Sequence, residues 1–77
     1  MFTLDLILSG EALKPSEYAS FEEMADGLAK AFENAQMSLH PRVMPFLLVV
    51  MSSDLRGHRA WTWVGEDYEI SVARSDL

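Results

Sequence analysis

Val43-Met44-Pro45-Phe46-Leu47-Leu48-Val49-Val50-Met51 contains no polar side chain, and how this run folds decides the architecture of the 77-residue chain. At strand periodicity, successive side chains point to opposite faces. Val43, Leu47, Val49 and Met51 then face one way, and Met44, Phe46, Leu48 and Val50 the other. A strand that is apolar on both faces needs cover on both. The rest of the chain supplies one clear helix, which covers one face. The second cover is expected from another subunit or a partner protein.

The length fits a single domain over residues 1–77, near the small end of what folds on its own core. Chains of this size often lean on disulfides, metals or oligomerisation. With no cysteine, disulfides and thiolate metal sites are excluded. A hydrophobic content of 49% is enough to build a core and argues against disorder. Met1-Phe2-Thr3-Leu4-Asp5 lacks the basic start and unbroken apolar stretch of a secretory leader. The run at 43–51 is far shorter than the ~20 residues that span a bilayer. A cytoplasmic protein without a membrane partner is the expectation.

The net charge of −6 is uneven. Residues 1–40 carry seven acids against two lysines, and residues 41–77 five acids against four arginines. Phosphate-backbone affinity comes largely from cations, so no nucleic-acid partner is expected. The acidity suits solubility or attraction to a basic partner.

Phe2–Leu8 alternates as a strand with Phe2, Leu4, Leu6 and Leu8 on its richer face, and Ser9-Gly10 ends it. Residues 9–19 read as a polar connector with a helical turn near Ser16–Tyr18. Ser20-Phe21-Glu22-Glu23 forms a capping box in which Ser20 accepts from the Glu23 N–H and the Glu23 carboxylate reaches back. Phe21, Met24, Ala25, Leu28, Ala31, Phe32 and Ala35 then share one face, so a helix is expected over 20–36. Gly27 weakens it by ~1 kcal/mol relative to alanine, without a reason visible in the sequence. Leu39-His40-Pro41 is a break. The apolar run follows as the second strand, regular from Phe46 because Pro45 lacks an N–H. Ser52–His58 reads as a loop, Arg59–Val64 as a third strand, Gly65–Asp67 as a turn and Tyr68–Ala73 as a fourth strand, with a polar tail at 74–77. The expected fold is α+β, a two-layer β-α-β-β-β domain with a mixed four-stranded sheet and one helix on one face.

Several groups of residues are candidates for function. Met44, Phe46, Leu48 and Val50, with Trp61 and Trp63 if they share that face, are interface candidates, since tryptophan is enriched at interface hot spots. The same tryptophans under the helix would be core. Glu22, Glu23, Asp26 and Glu33 form an acidic helix face suited to steering toward a basic partner, with Asp26 and Lys30 as an i,i+4 pair. Arg56, His58 and Arg59 around Gly57 offer donors for a phosphate or carboxylate.

Catalysis finds little support. His40 and His58 are the only histidines and have no metal-ligand spacing. Ser52, Ser53, Asp54 and His58 hold triad residue types without the setting of a nucleophile elbow. No glycine-rich phosphate loop is present, so no cofactor is expected. The chain is therefore expected to be a small acidic interaction module, not an enzyme. It would form a homodimer through a helix-free sheet face or an exposed strand edge. The alternatives are an acidic inhibitor of a basic target surface, of the phage anti-defence or toxin-immunity type, and a small-molecule binder using the tryptophan face.

Overall fold

The apolar run at 43–51 is a helix, not a strand. In the computed structural model, which describes residues 1–75, it forms the first three-quarters of an α-helix over Val43–Asp54. Pro45 is the third helical residue after the Arg42 N-cap. The first i→i−4 hydrogen bond of the helix is donated by Phe46 to the Arg42 carbonyl at 3.2 Å. An N–H at position 45 would have had no intrahelical acceptor, so the residue that would interrupt a sheet ladder costs this helix no hydrogen bond. Leu47, Met51 and Leu55, spaced i, i+4 and i+8, are fully buried. The sequence could not separate the two readings by periodicity because every position in the run is apolar. The helix continues through the polar residues Ser52, Ser53 and Asp54, whereas the apolar run alone is only nine residues long.

The order of elements is β1 (Phe2–Leu8), β2 (Glu11–Ala12), β3 (Ser16–Tyr18), α1 (Phe21–Asn34), α2 (Val43–Asp54), β4 (Ala60–Gly65) and β5 (Tyr68–Arg74). The fold is α+β, and the described residues form two helices and a five-stranded sheet in which every pairing is antiparallel. The expected mixed sheet with one helix is corrected accordingly. A parallel pair required a strand after α1, and the second helix removes it. The strand path is β2-β1-β5-β4, with β3 also on β1. β1 and β5 pair along their whole length, from Phe2↔Arg74 to Leu8↔Tyr68. Beyond them the Ser75 N–H donates to the Met1 carbonyl. Of the polar tail expected at 74–77, Arg74 ends β5, and residues 76 and 77 lie outside the described range.

The expected connector at 9–19 is largely sheet. Ser9 (φ 52°) and Gly10 (φ 81°) both lie in the left-handed region between the paired Leu8 and Glu11. This is the backbone of a tight two-residue hairpin turn. The pairing then shifts by one residue, from Ile7↔Ala12 to Leu4↔Ser16, which marks a bulge over residues 13–15. Pro15 suits a bulge because it has no N–H to donate. Ser16–Tyr18 continues as β3 in place of the expected helical turn.

α1 matches its expected extent closely. The Ser20 hydroxyl accepts the Glu23 N–H at 3.1 Å, while the Glu23 carboxylate takes the Ala19 N–H at 3.3 Å, one residue earlier than expected. At the other end Gln36 adopts φ 57°; its N–H reaches the Glu33 carbonyl, and the Met37 N–H reaches Phe32. That is a Schellman motif with glutamine where glycine is the usual residue. Met24, Leu28 and Phe32 of α1 and Leu47 and Met51 of α2 join Leu4, Leu6, Leu8, Trp61, Ile70 and Val72 in a single core. Both helices therefore cover one face of the sheet. The other face carries Thr3, Asp5, Ile7, Thr62, Val64, Glu69, Ser71 and Ala73, most of them polar or small.

Candidate functional site

The six interface candidates do not share a face. In a helix, Met44 and Leu48 project on the side opposite Phe46 and Val50, since residues four apart stack and residues two apart diverge. Met44, Leu48 and Val50 are half-buried against the core. Trp61 is buried at 7% exposure, beneath the helices, as core. Trp63 stacks on it at 6.2 Å between ring centroids with planes 15° apart, and stays half-buried. Phe46, 55% exposed, meets Trp63 edge-on at 6.0 Å. The structure thus brings Phe46 and Trp63 together at the surface, buries Trp61 and leaves Met44, Leu48 and Val50 half-buried against the core.

One further residue extends this surface. Val49, one helical turn on from Phe46, is 69% exposed; Val64 at the end of β4 is 67% exposed but lies on the opposite, helix-free face of the sheet. Large apolar groups left in solvent together mark interaction surfaces. Reading 43–54 at helical spacing would have found Val49, because it lies opposite Leu47 and Met51. The helix-free sheet face expected to mediate a dimer is not this surface. Its residues are mainly polar, and the exposed apolar groups of α2 lie on the helical side.

Arg56, His58 and Arg59 remain exposed. The loop is held by its backbone, the N–H groups of Gly57 and His58 both donating to the Asp54 carbonyl. None of the three side chains has a hydrogen-bond or ion-pair partner among the described residues. His40 accepts the Arg42 N–H through Nδ1 at 3.2 Å, ordering the entry to α2. Among the described residues, no group of three or more His, Asp or Glu converges as a metal ion requires.

On α1, Glu22, Glu23, Asp26 and Glu33 are all exposed. Glu23 is engaged in the cap. Asp26 bonds Lys30 at 3.0 Å, and this hydrogen bond, with the accompanying Coulombic attraction, holds the Lys30 ammonium above its ordinary pKa. Beside them, Tyr18, Gly27, Ala31 and Asn34 line an open groove. No helix of the described residues is long and apolar enough to cross a membrane. Comparison with protein-family models, curated proteins and solved structures returns no match to this chain.

Proposed function

We propose that this chain is a small interaction module that acts by binding and self-associates through the surface formed by α2 and β4. The observation that carries the reading is the exposure of Phe46, which packs on Trp63 of the strand at the end of the sheet path, and of Val49 one turn further along α2. Burying such groups releases roughly 25 cal/mol per Å² of apolar surface. A two-fold dimer buries each copy's patch against the same patch of the other. The acidic face of α1 supports the inhibitor reading less well, since Glu23 caps the helix and Asp26 is paired with Lys30.

Sedimentation equilibrium over a micromolar concentration series tests the reading. The expected result is about twice the chain mass for the wild type and a folded monomer for Phe46→Glu with Val49→Glu. Both side chains already face solvent, so the fold should survive the change. A wild-type protein that remains monomeric throughout the series would overturn the proposal.

A further inference from the structure

The ladder between β4 and β5 determines which backbone groups of β4 are free. The Arg74 N–H donates to the Arg59 carbonyl at 2.6 Å, and the register continues from Ala60↔Ala73 to Gly65↔Tyr68. Hydrogen-bonded and non-hydrogen-bonded pairs alternate along an antiparallel ladder. Arg59, Trp61, Trp63 and Gly65 therefore bond toward β5. Ala60, Thr62 and Val64 direct their N–H and C=O groups outward from the sheet.

This edge lacks the usual guards. Folded proteins protect an edge strand with lysine, proline, a bulge or a covering segment. Ala60-Trp61-Thr62-Trp63-Val64 has no charge and no proline. Its register with β5 is unbroken, and among the described residues no other strand pairs with it. The segment is also nearly palindromic about Thr62, with tryptophan on either side and small aliphatic residues beyond. A two-fold contact requires this self-complementarity, whereas binding to an unrelated strand does not.

The flanking charges point the same way. In an antiparallel pairing of two copies centred on Thr62, Ala60 lies opposite Val64 of the second copy and Trp61 opposite Trp63. Continuing outward, Arg59 meets Gly65, His58 meets Glu66 and Gly57 meets Asp67. The basic entry to each β4 thus faces the acidic turn that follows the other. On a chain of net charge −6, opposite charges are brought together at both ends of the seam. The centred register is also the one that pairs all three outward-facing residues of each strand.

We infer that two copies join edge to edge through β4, in antiparallel register about a two-fold axis at Thr62, to make one continuous ten-stranded sheet. The inference rests on the self-association proposed above and adds its geometry. The axis stands perpendicular to the sheet, so both α2 helices lie on the same face of the joined sheet. Phe46, in contact with Trp63, is thereby carried to the seam with its counterpart. The basic residues Arg56, His58 and Arg59 become the flanks of this seam in place of a separate anion site.

Four variants test the register. Thr62→Pro removes an outward N–H and leaves the β4–β5 bonds in place, a position where an edge strand tolerates proline. It should keep the wild-type circular dichroism spectrum and lose the doubled mass. Ala60→Lys with Val64→Glu should retain the dimer, because each new lysine faces a glutamate of the second copy. Ala60→Lys with Val64→Lys should be monomeric. Thr62→Cys, in a chain with no other cysteine, should be joined to its counterpart by a short thiol-reactive cross-linker such as a bis-maleimide, since the paired Cα atoms lie only about 5.5 Å apart. If Thr62→Pro does not fold, the lysine–glutamate and lysine–lysine pair decides. A wild-type dimer that persists in the lysine–lysine variant, with no cross-link through Thr62→Cys, would overturn the β4 pairing and leave self-association standing. A monomeric wild type would remove both.

Discussion

The Tyr18 ring lies directly against the backbone of α1 at Gly27, in the space a side chain at that position would occupy. A Cβ built at Gly27 would fall inside van der Waals contact with the hydroxyl and Cζ of Tyr18, and its distance to Cε1 would be 2.8 Å. The glycine that weakens α1 thus has a tertiary reason, and a double-mutant cycle exposes it. Gly27→Ala should destabilise the wild type because the ring must leave the helix. In a Tyr18→Ala background, the same change should stabilise by about 1 kcal/mol, the helix preference of alanine over glycine. Chemical denaturation measures both, and equal effects in the two backgrounds would refute the contact.

Arg74 joins the end of β5 to the end of α2. Its Nη1 donates to the Leu55 carbonyl at 2.6 Å, and its guanidinium lies 5.9 Å from the centre of the Phe2 ring. A cation at a helix C-terminus satisfies a free carbonyl and complements the helix dipole. Arg74→Met keeps the aliphatic stem and removes the donors. The expected loss is about 1.5–3 kcal/mol, the range for a hydrogen bond to a charged group. Urea unfolding midpoints compared at constant slope give the value.

The helical state of residues 43–54 makes opposite predictions for adjacent apolar positions. Leu47→Ala should cost about 2–5 kcal/mol as a fully buried truncation. Val49→Ala, in solvent, should change monomer stability by less than about 0.5 kcal/mol. A strand would place both residues on the same face and make their costs similar. Thermal melts of the two variants in the Phe46→Glu background, where self-association is removed, settle the comparison.

Gln36 supplies a left-handed residue at the end of α1, where a non-glycine side chain carries roughly 1–2 kcal/mol of strain. Gln36→Gly should therefore stabilise by up to about 1 kcal/mol after its greater unfolded-state entropy is counted. The measurement is an increase in melting temperature of a few degrees. A decrease would mean that the Schellman geometry does not persist in solution.

Local rules written in the residues made part of the fold legible. Ser20 and Glu23 marked the start of α1, and its apolar stripe marked the core face. Alternation marked β1 and β5, and Gly65–Asp67 marked the turn between β4 and β5. Each of these signals lies within a few residues of the structure it specifies. The candidate surface was only half legible. Phe46 and Trp63 stand out in the sequence, whereas Val49 stands out only at helical spacing; Trp61 is core, and Met44, Leu48 and Val50 are half-buried. These differences follow from the helical state of residues 43–54 and from the sheet face the helices cover.

Tertiary structure decided what the sequence left degenerate. A run apolar at every position satisfies helix and strand periodicity equally, so its state depends on what surrounds it. With α1 over β1 and β3, the open area above β4 and β5 accepts a second helix whose Leu47, Met51 and Leu55 complete the core. Gly27 and Gln36 are similar cases, since their local cost makes sense only against Tyr18 and the Phe32 carbonyl. Composition by itself determined an acidic, cysteine-free chain with enough apolar residues to build a core. Which apolar groups remain outside, Phe46 against Trp63 of β4 and Val49 one turn along α2, was decided by packing, because burial is a property of neighbours and not of residue type.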